Sequence, residues 1–210
     1  SIRRQRQMCI RDSHELRLYL QPKVPLHGQP GLAAEALVRW QHPQRGLVPP
    51  MQFIPFAEQT GFVRHLTLWM FEEVARLLAD PRTQGLPLRV SVNLSTRDLL
   101  DPELSHRLAD ILARHGVAAS AFCLEITESA IMDDPQRAEA MLNRLSEQGF
   151  KLSIDDFGTG YSSLAYLKRL PVDELKIDKS FVMGMETGED DAMIVRSTID
   201  LAHNLGLTVV

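Results

Sequence analysis

The sequence predicts an α/β domain organised as a barrel of mostly parallel strands, and three features carry that expectation. Short apolar runs alternate with longer helical patterns from Glu15 onward. From the third run on, the strand candidates recur at a spacing of about 30 residues, the size of a strand-helix-strand unit. Six or seven repeats follow one another without an obvious break, which favours a barrel over an open sheet covered on both faces.

The strand candidates are Leu16–Leu20, Leu32–Val38, Leu88–Leu94, Phe122–Ile126, Phe150–Ile154, Val172–Ile177 and Leu207–Val210. Each is a short run rich in aliphatic, aromatic or β-branched side chains. Between them, Leu104, Leu108, Ile111 and Leu112 make one helical face, ended by Gly116 at a C′ position. Ala138, Met141, Leu142 and Leu145 make a second, with Asp133 or Asp134 as N-cap, Pro135 in the first turn and Gly149 at the end. Ile194, Val195, Ile199 and Ala202 mark a third.

Composition narrows the class further. The chain has 210 residues, 44% hydrophobic and 24% charged, enough for one globular domain with a sizeable core. No apolar run approaches the roughly 18 residues that a membrane span needs, so no membrane contact is expected of this segment. A formal charge of −4 offers no basic footprint for DNA or RNA. Cys9 and Cys123 are too few for a disulfide framework and fit a reducing, cytoplasmic setting. Residues 1–13 differ from the rest, with Arg3, Arg4, Arg6 and Arg11 against Asp12 alone and no apolar stretch of the kind a signal peptide needs. They resemble translated adapter read-through and are read as a non-native or linker segment, which leaves 14–210 as the domain.

The chemistry centres on Phe150 to Leu164, where a strand runs into Asp155 and Asp156 and then into a loop with Gly158 and Gly160. Two adjacent carboxylates at the mouth of a buried strand suit a hard divalent cation, and equally suit an acidic turn that caps the next helix. Other strand ends keep them company. Glu35 lies in the second strand, Asn93 ends the third, Glu125 and Glu128 follow in the fourth, and Lys176 and Asp178 come with the sixth. Taken singly, each has an ordinary structural use as an ion-pair partner or helix cap. Together they put charged or strongly polar groups into apolar runs on several strands, where burying one unpaired carboxylate costs several kcal/mol. They need a shared partner, and barrels of this kind keep their chemistry at the C-terminal strand ends.

The blocks YLQP, EALVRW, SVNLS, EITES, IDDFGTGYSSL and ELKIDKSF occur in that order from about Leu16 to Val210. In this the chain resembles the EAL-type cyclic di-GMP phosphodiesterases, which take their name from the triplet present as Glu35-Ala36-Leu37. A lone EAL tripeptide would carry little weight, whereas six blocks at consistent strand-end positions are specific. The resemblance implies a modified TIM (β/α)8 barrel with an antiparallel first strand and two divalent cations, Mg²⁺ or Mn²⁺, at its open face. Carried over by position, Glu35, Asn93, Glu125 and Asp155 would be ligands of one ion, with Asp155 shared and Asp156 on the second. Lys176 would orient the attacking water, Gln21, Arg39, Leu37 and Asp178 would contact the dinucleotide, and Glu128 would anchor the loop that carries Gly158, Thr159 and Gly160. The expected reaction is hydrolysis of one phosphodiester bond of cyclic di-GMP to linear pGpG.

General chemistry is consistent with that expectation. Phosphodiester hydrolysis needs a hydroxide at neutral pH and neutralised charge in the transition state, and two ions about 3.5–4 Å apart supply both. Oxygen ligands without histidine or thiolate favour Mg²⁺ or Mn²⁺ over Zn²⁺. A lysine in a dense carboxylate cluster stays protonated, so Lys176 reads as an electrostatic aid rather than a base.

One departure from the family pattern matters. The pattern continues past the seventh strand with an Ala-Glu-Gly-Val-Glu motif and a last strand and helix, whereas this sequence stops at Val210. The expectation is therefore a barrel incomplete at the C-terminus, lacking a further ligand for the second ion and inactive in this form, from an active parent. A catalytically silent cyclic di-GMP receptor is the alternative, and a convergent metal-dependent barrel enzyme a more distant one. Homodimerisation and upstream sensory or cyclase-like domains are expected of the parent by resemblance alone.

Overall fold

A computed structural model of the protein describes residues 15–26, 31–158, 164–185 and 188–210. Residues 1–13 and the loop residues Thr159, Gly160 and Ser162 lie outside the described residues. The strands are β1 (Leu16–Lys23), β2 (Leu32–His42), β3 (Gly46–Val48), β4 (Leu88–Leu94), β5 (Phe122–Thr127), β6 (Lys151–Phe157), β7 (Glu174–Ile177) and β8 (Thr208–Val209). They form one sheet in the order β1-β2-β4-β5-β6-β7-β8, with β3 as a short antiparallel ribbon on β2. β1 runs antiparallel to β2, and from β2 through β4 to β8 every pairing is parallel. This is the modified barrel order with its reversed first strand. Among the described residues no ladder joins β8 to β1, so the sheet is not closed.

The alternation of side chains along the central strands explains both core and site. Val90, Val92 and Leu94 on β4, Phe122, Leu124 and Ile126 on β5, and Leu152 and Ile154 on β6 are all buried. They face the helices α2 (Val63–Ala79), α4 (Leu104–His115) and α6 (Pro135–Glu147), whose Phe71, Leu108 and Leu142 are fully buried in the same cluster. Phe71 stacks on Phe122 with ring centroids 4.8 Å apart, and Phe150 meets both edge-on. The intervening residues of the same strands, Ser91 and Asn93, Cys123 and Glu125, Ser153 and Asp155, point to the opposite face by the period of two. A core on one face of the strands thus places a polar set on the other.

The expected helix ends are present for physical reasons. α4 stops at Gly116, whose φ of 64° is the left-handed conformation of a C-terminal cap. Asp134, not Asp133, caps α6 by accepting a hydrogen bond from the Arg137 amide, with Pro135 as the first helical residue. The third expected apolar face needs correction. On α9 (Glu189–Asn204) the buried residues are Val195, Thr198 and Ala202, while Ile194 is 36% exposed. Spacings of three and four define the buried stripe, and they leave Ile194 about 100° away from Val195. The strand ribbon β3 and the helix pair α1 (Pro50–Thr60) and α2, between β2 and β4, are elements that the sequence reading did not name. The remaining short helices are α3 (Thr96–Leu99), α5 (Glu128–Asp133), α7 (Leu164–Leu167) and α8 (Lys179–Gly184).

Candidate active site

β6 is longer than its apolar run suggested. It continues through Asp155 and Asp156 to Phe157, with an irregularity against β7 between Ile154 and Phe157. Asp156 takes φ 54°, a conformation that non-glycine side chains rarely adopt, and its amide donates to Asp155 Oδ1 at 2.8 Å. The kink turns two consecutive residues toward the same strand-end region instead of opposite faces, as a bulge does.

Around this kink the strand ends converge. Lys176 on β7 donates from Nζ to Glu125 Oε2 at 2.6 Å, Asp155 Oδ2 at 3.0 Å and Glu35 Oε2 at 3.2 Å. Residues on β2, β5, β6 and β7 thus meet at one atom. Asn93, opposite Glu125 in the β4–β5 ladder, donates from Nδ2 to Glu35 Oε1 at 2.9 Å. Burial works against the Lys176 ammonium, but Glu125, Asp155 and Glu35 more than offset it and hold Lys176 above the ordinary lysine range. It is therefore a cation at neutral pH and does not accept a proton. Burial likewise pushes Glu125 up, and Lys176 with Lys23 reverses that, leaving its carboxyl below the usual range. Asp156 goes the other way, raised by burial and by the nearby carboxylates of Asp155 and Asp178. Asp178 itself caps α8 through the Ser180 amide at 2.7 Å, and the Ser180 donors hold its carboxyl down.

Glu128 stands apart from this cluster. It opens α5, is 3% exposed, and accepts the Gly158 amide through Oε2 at 3.2 Å. The turn after β6 is thus tied to the end of β5. Gly158 has φ 99°, and a Cβ there would lie 3.1 Å from the Phe181 ring. Glycine is needed on both counts.

A cavity of about 580 Å³ opens beside the cluster, lined by Leu37, Arg39, Asn93, Thr96, Met70 and Ser129 among others. Arg39 sits with its guanidinium carbon 5.8 Å from the centre of the Tyr19 ring. Gln21 is exposed and pairs with Glu35 across the β1–β2 ladder. The structure therefore brings Glu35, Asn93, Glu125, Asp155 and Lys176 into direct contact, and sets Asp156, Asp178 and Glu128 around the kink. Leu37 and Arg39 line the adjoining cavity, and Gln21 is exposed on β1 opposite Glu35.

Two residues of the cluster escaped the sequence reading. Lys23 on β1 donates to Glu125 Oε1 at 2.7 Å and to Glu174 Oε1 at 3.0 Å. A signal existed, since Lys23 lies two residues beyond Gln21 and Glu174 two before Lys176, so each shares a strand face with a residue already singled out.

The donor set suits a hard divalent cation. Among the described residues no three acidic, histidine or cysteine side chains stand close enough to enclose an ion by themselves. The three carboxylates instead surround the Lys176 ammonium, which serves as a stand-in cation at their centre. Four carboxylates, on Glu35, Glu125, Asp155 and Glu174, pair with two ammoniums, on Lys23 and Lys176, leaving a surplus of two negative charges before Asp156 and Asp178 are counted. Such a surplus of oxygen donors favours a hard cation.

The EAL domain model matches residues 2–210. A bifunctional diguanylate cyclase/cyclic di-GMP phosphodiesterase of Pseudomonas aeruginosa, MucR, is 41% identical over 200 residues, which is 95% of this chain and 29% of the relative. The cyclic di-GMP phosphodiesterase PdeR of Escherichia coli is 36% identical over 199 residues, 95% of this chain and 30% of the relative. The chain thus spans under a third of the length of these relatives. A solved structure of the MucR phosphodiesterase in complex with cyclic di-GMP superposes with a TM-score of 0.91 at 40% identity, covering 96% of this chain and 82% of that one. With strand order, motif positions and family model in agreement over nearly its whole length, the chain belongs to the EAL domain family.

Proposed function

We propose that this domain binds cyclic di-GMP at the C-terminal strand ends and hydrolyses one of its phosphodiester bonds to give linear pGpG. The observation that carries the reading is the convergence of Glu35, Glu125 and Asp155 on one cationic point, with excess negative charge, beside a cavity large enough for a nucleotide-sized ligand. The relatives named as cyclic di-GMP phosphodiesterases support the choice of substrate.

In this reading Glu35, Asn93, Glu125 and Asp155 would hold one divalent cation, and Asp155 and Asp156 would contribute to a second. Such ions, when bound, supply a hydroxide at neutral pH and neutralise developing phosphate charge. Lys176 keeps its proton, and since its three donors lie on Glu35, Glu125 and Asp155 here, it would orient the attacking water by turning one of them away from a carboxylate that takes up a cation. Arg39 offers its guanidinium to a phosphate of the dinucleotide, Leu37 packs its apolar part, and Gln21 and Asp178 contribute polar contacts. Glu128 holds the turn at Gly158 and so keeps Asp156 in its kinked conformation.

The test is incubation of the full-length protein with cyclic di-GMP and Mn²⁺ or Mg²⁺, with chromatographic separation of products. The expected product is pGpG, absent when a chelator is added. Binding of cyclic di-GMP without turnover under all metal conditions would assign the domain as a silent receptor instead.

A further inference from the structure

The contact between Lys23 and Glu125 has no part in the roles assigned above. Lys23 Nζ takes Glu125 Oε1 at 2.7 Å, while the other oxygen, Oε2, lies 2.6 Å from Lys176 Nζ. The Glu125 side chain is fully buried, and those of Lys23 and Glu174 are 15% and 16% exposed. The two oxygens of Glu125 are thus divided between two ammoniums, one from β1 and one at the centre of the cluster.

We propose that Lys23 is a positioning residue: bonded to Glu174, it holds one oxygen of Glu125 so that the other is presented to the cation site. The inference rests on the reading of Glu125 as a cation ligand. Glu125 and Glu174 both flank Ser153 in the β5–β6–β7 ladder, so they stand two strands apart on the same face. Two strand spacings are about 10 Å, and one lysine reaching between them can bond both. The arrangement also settles the charge. Lys23 would weaken the attraction of the cluster for a cation if it stood alone, but Glu174 cancels it, so the pair adds a hydrogen bond to Glu125 and no net charge. Groups that orient a metal-binding side chain from behind typically change metal affinity by about 10–100-fold.

A purely structural pin between β1 and the strands opposite would use the same three residues, and the two roles separate in one experiment. Lys23→Met combined with Glu174→Met removes both charges at once and leaves the net charge of the cluster unchanged. Replacing a buried ion pair by apolar side chains of similar length is commonly neutral or stabilising, so the fold should persist. Titration calorimetry with Mn²⁺ is the readout, alongside the melting temperature. The expected result is a Kd raised about tenfold in a variant that still unfolds cooperatively, with Lys176 retained on the other oxygen of Glu125. A folded double variant whose Mn²⁺ Kd stays within about twofold of the parent overturns the proposal, because a positioning contact of this kind should cost more. Should the double variant misfold, Lys23→Arg keeps the charge but shifts the donor, and the same criterion applies to it: a raised Kd supports positioning and an unchanged one overturns it. Glu125→Gln is titrated in parallel. Loss of Mn²⁺ uptake there, with an unchanged Kd in the Lys23 variants, refutes the role of Lys23 alone; uptake like the parent's refutes Glu125 as a ligand and the role of Lys23 with it.

Discussion

Replacing Lys176 by Met should destabilise the protein when no divalent cation is present, and added Mn²⁺ should restore more stability to the variant than to the parent. The ammonium is the counterion of Glu35, Glu125 and Asp155, all within 3.2 Å of it. Glu125 is fully buried at its side chain, so water cannot take the ammonium's place. Removing one partner of a buried ion pair costs about 3–5 kcal/mol. Lys23 stays on the other oxygen of Glu125, which puts the loss near 3 kcal/mol, the lower end of that range. At about 2–4 °C per kcal/mol for a domain of this size, the melting temperature should fall by about 6–12 °C. The assay is thermal unfolding by circular dichroism in chelator and in excess Mn²⁺, parent against variant. A variant that melts within about 2 °C of the parent in chelator would show that Lys176 is not the counterion of this cluster.

Three further outcomes are expected. Glu128→Ala removes a charged acceptor for the Gly158 amide, an interaction of about 1.5–3 kcal/mol, so kcat should fall about tenfold or more while cyclic di-GMP binding changes less; unchanged turnover would reduce the turn to a structural element. Gly158→Ala combines φ 99° with a Cβ 3.1 Å from Phe181, so it should cost about 1–3 kcal/mol and lower turnover, read by melting and by pGpG release. Leu142→Ala on α6, at a fully buried position, should cost about 2–5 kcal/mol in denaturant unfolding, without altering the cyclic di-GMP affinity of the folded fraction.

The parts of the fold that were legible are those whose signal is local. β4, β5 and β6 announce themselves because Val90, Val92, Leu124 and Ile154 recur with a period of two, and α4 and α6 because Leu108 and Leu142 sit in capped helical patterns. β3 is only three residues long, and Pro55 interrupts the helical pattern of α1, so neither stood out. The face of α9 was misjudged because Ile194 is apolar and Thr198 is not, yet geometry buries Thr198. Glu35, Asn93, Glu125 and Asp155 could be grouped from sequence since each ends or interrupts an apolar strand. Lys23 and Glu174 share strand faces with Gln21 and Lys176, but that these two meet is not readable from sequence, because their contact spans 151 positions and depends on how far the sheet curls. The kink at Asp156 was hidden for a related reason, as only the conformation shows that two consecutive acids turn toward one region.

Asp155 is where the account is most exposed, since it contacts Lys176, receives the Asp156 amide and is assigned to both proposed ions. The decisive measurement is Mn²⁺ titration and cyclic di-GMP turnover in the full-length parent and in its Asp155→Asn variant, side by side. The account predicts Mn²⁺ uptake and pGpG formation in the parent, with weakened uptake and almost no turnover in the variant. Uptake and turnover in Asp155→Asn equal to the parent's would contradict it.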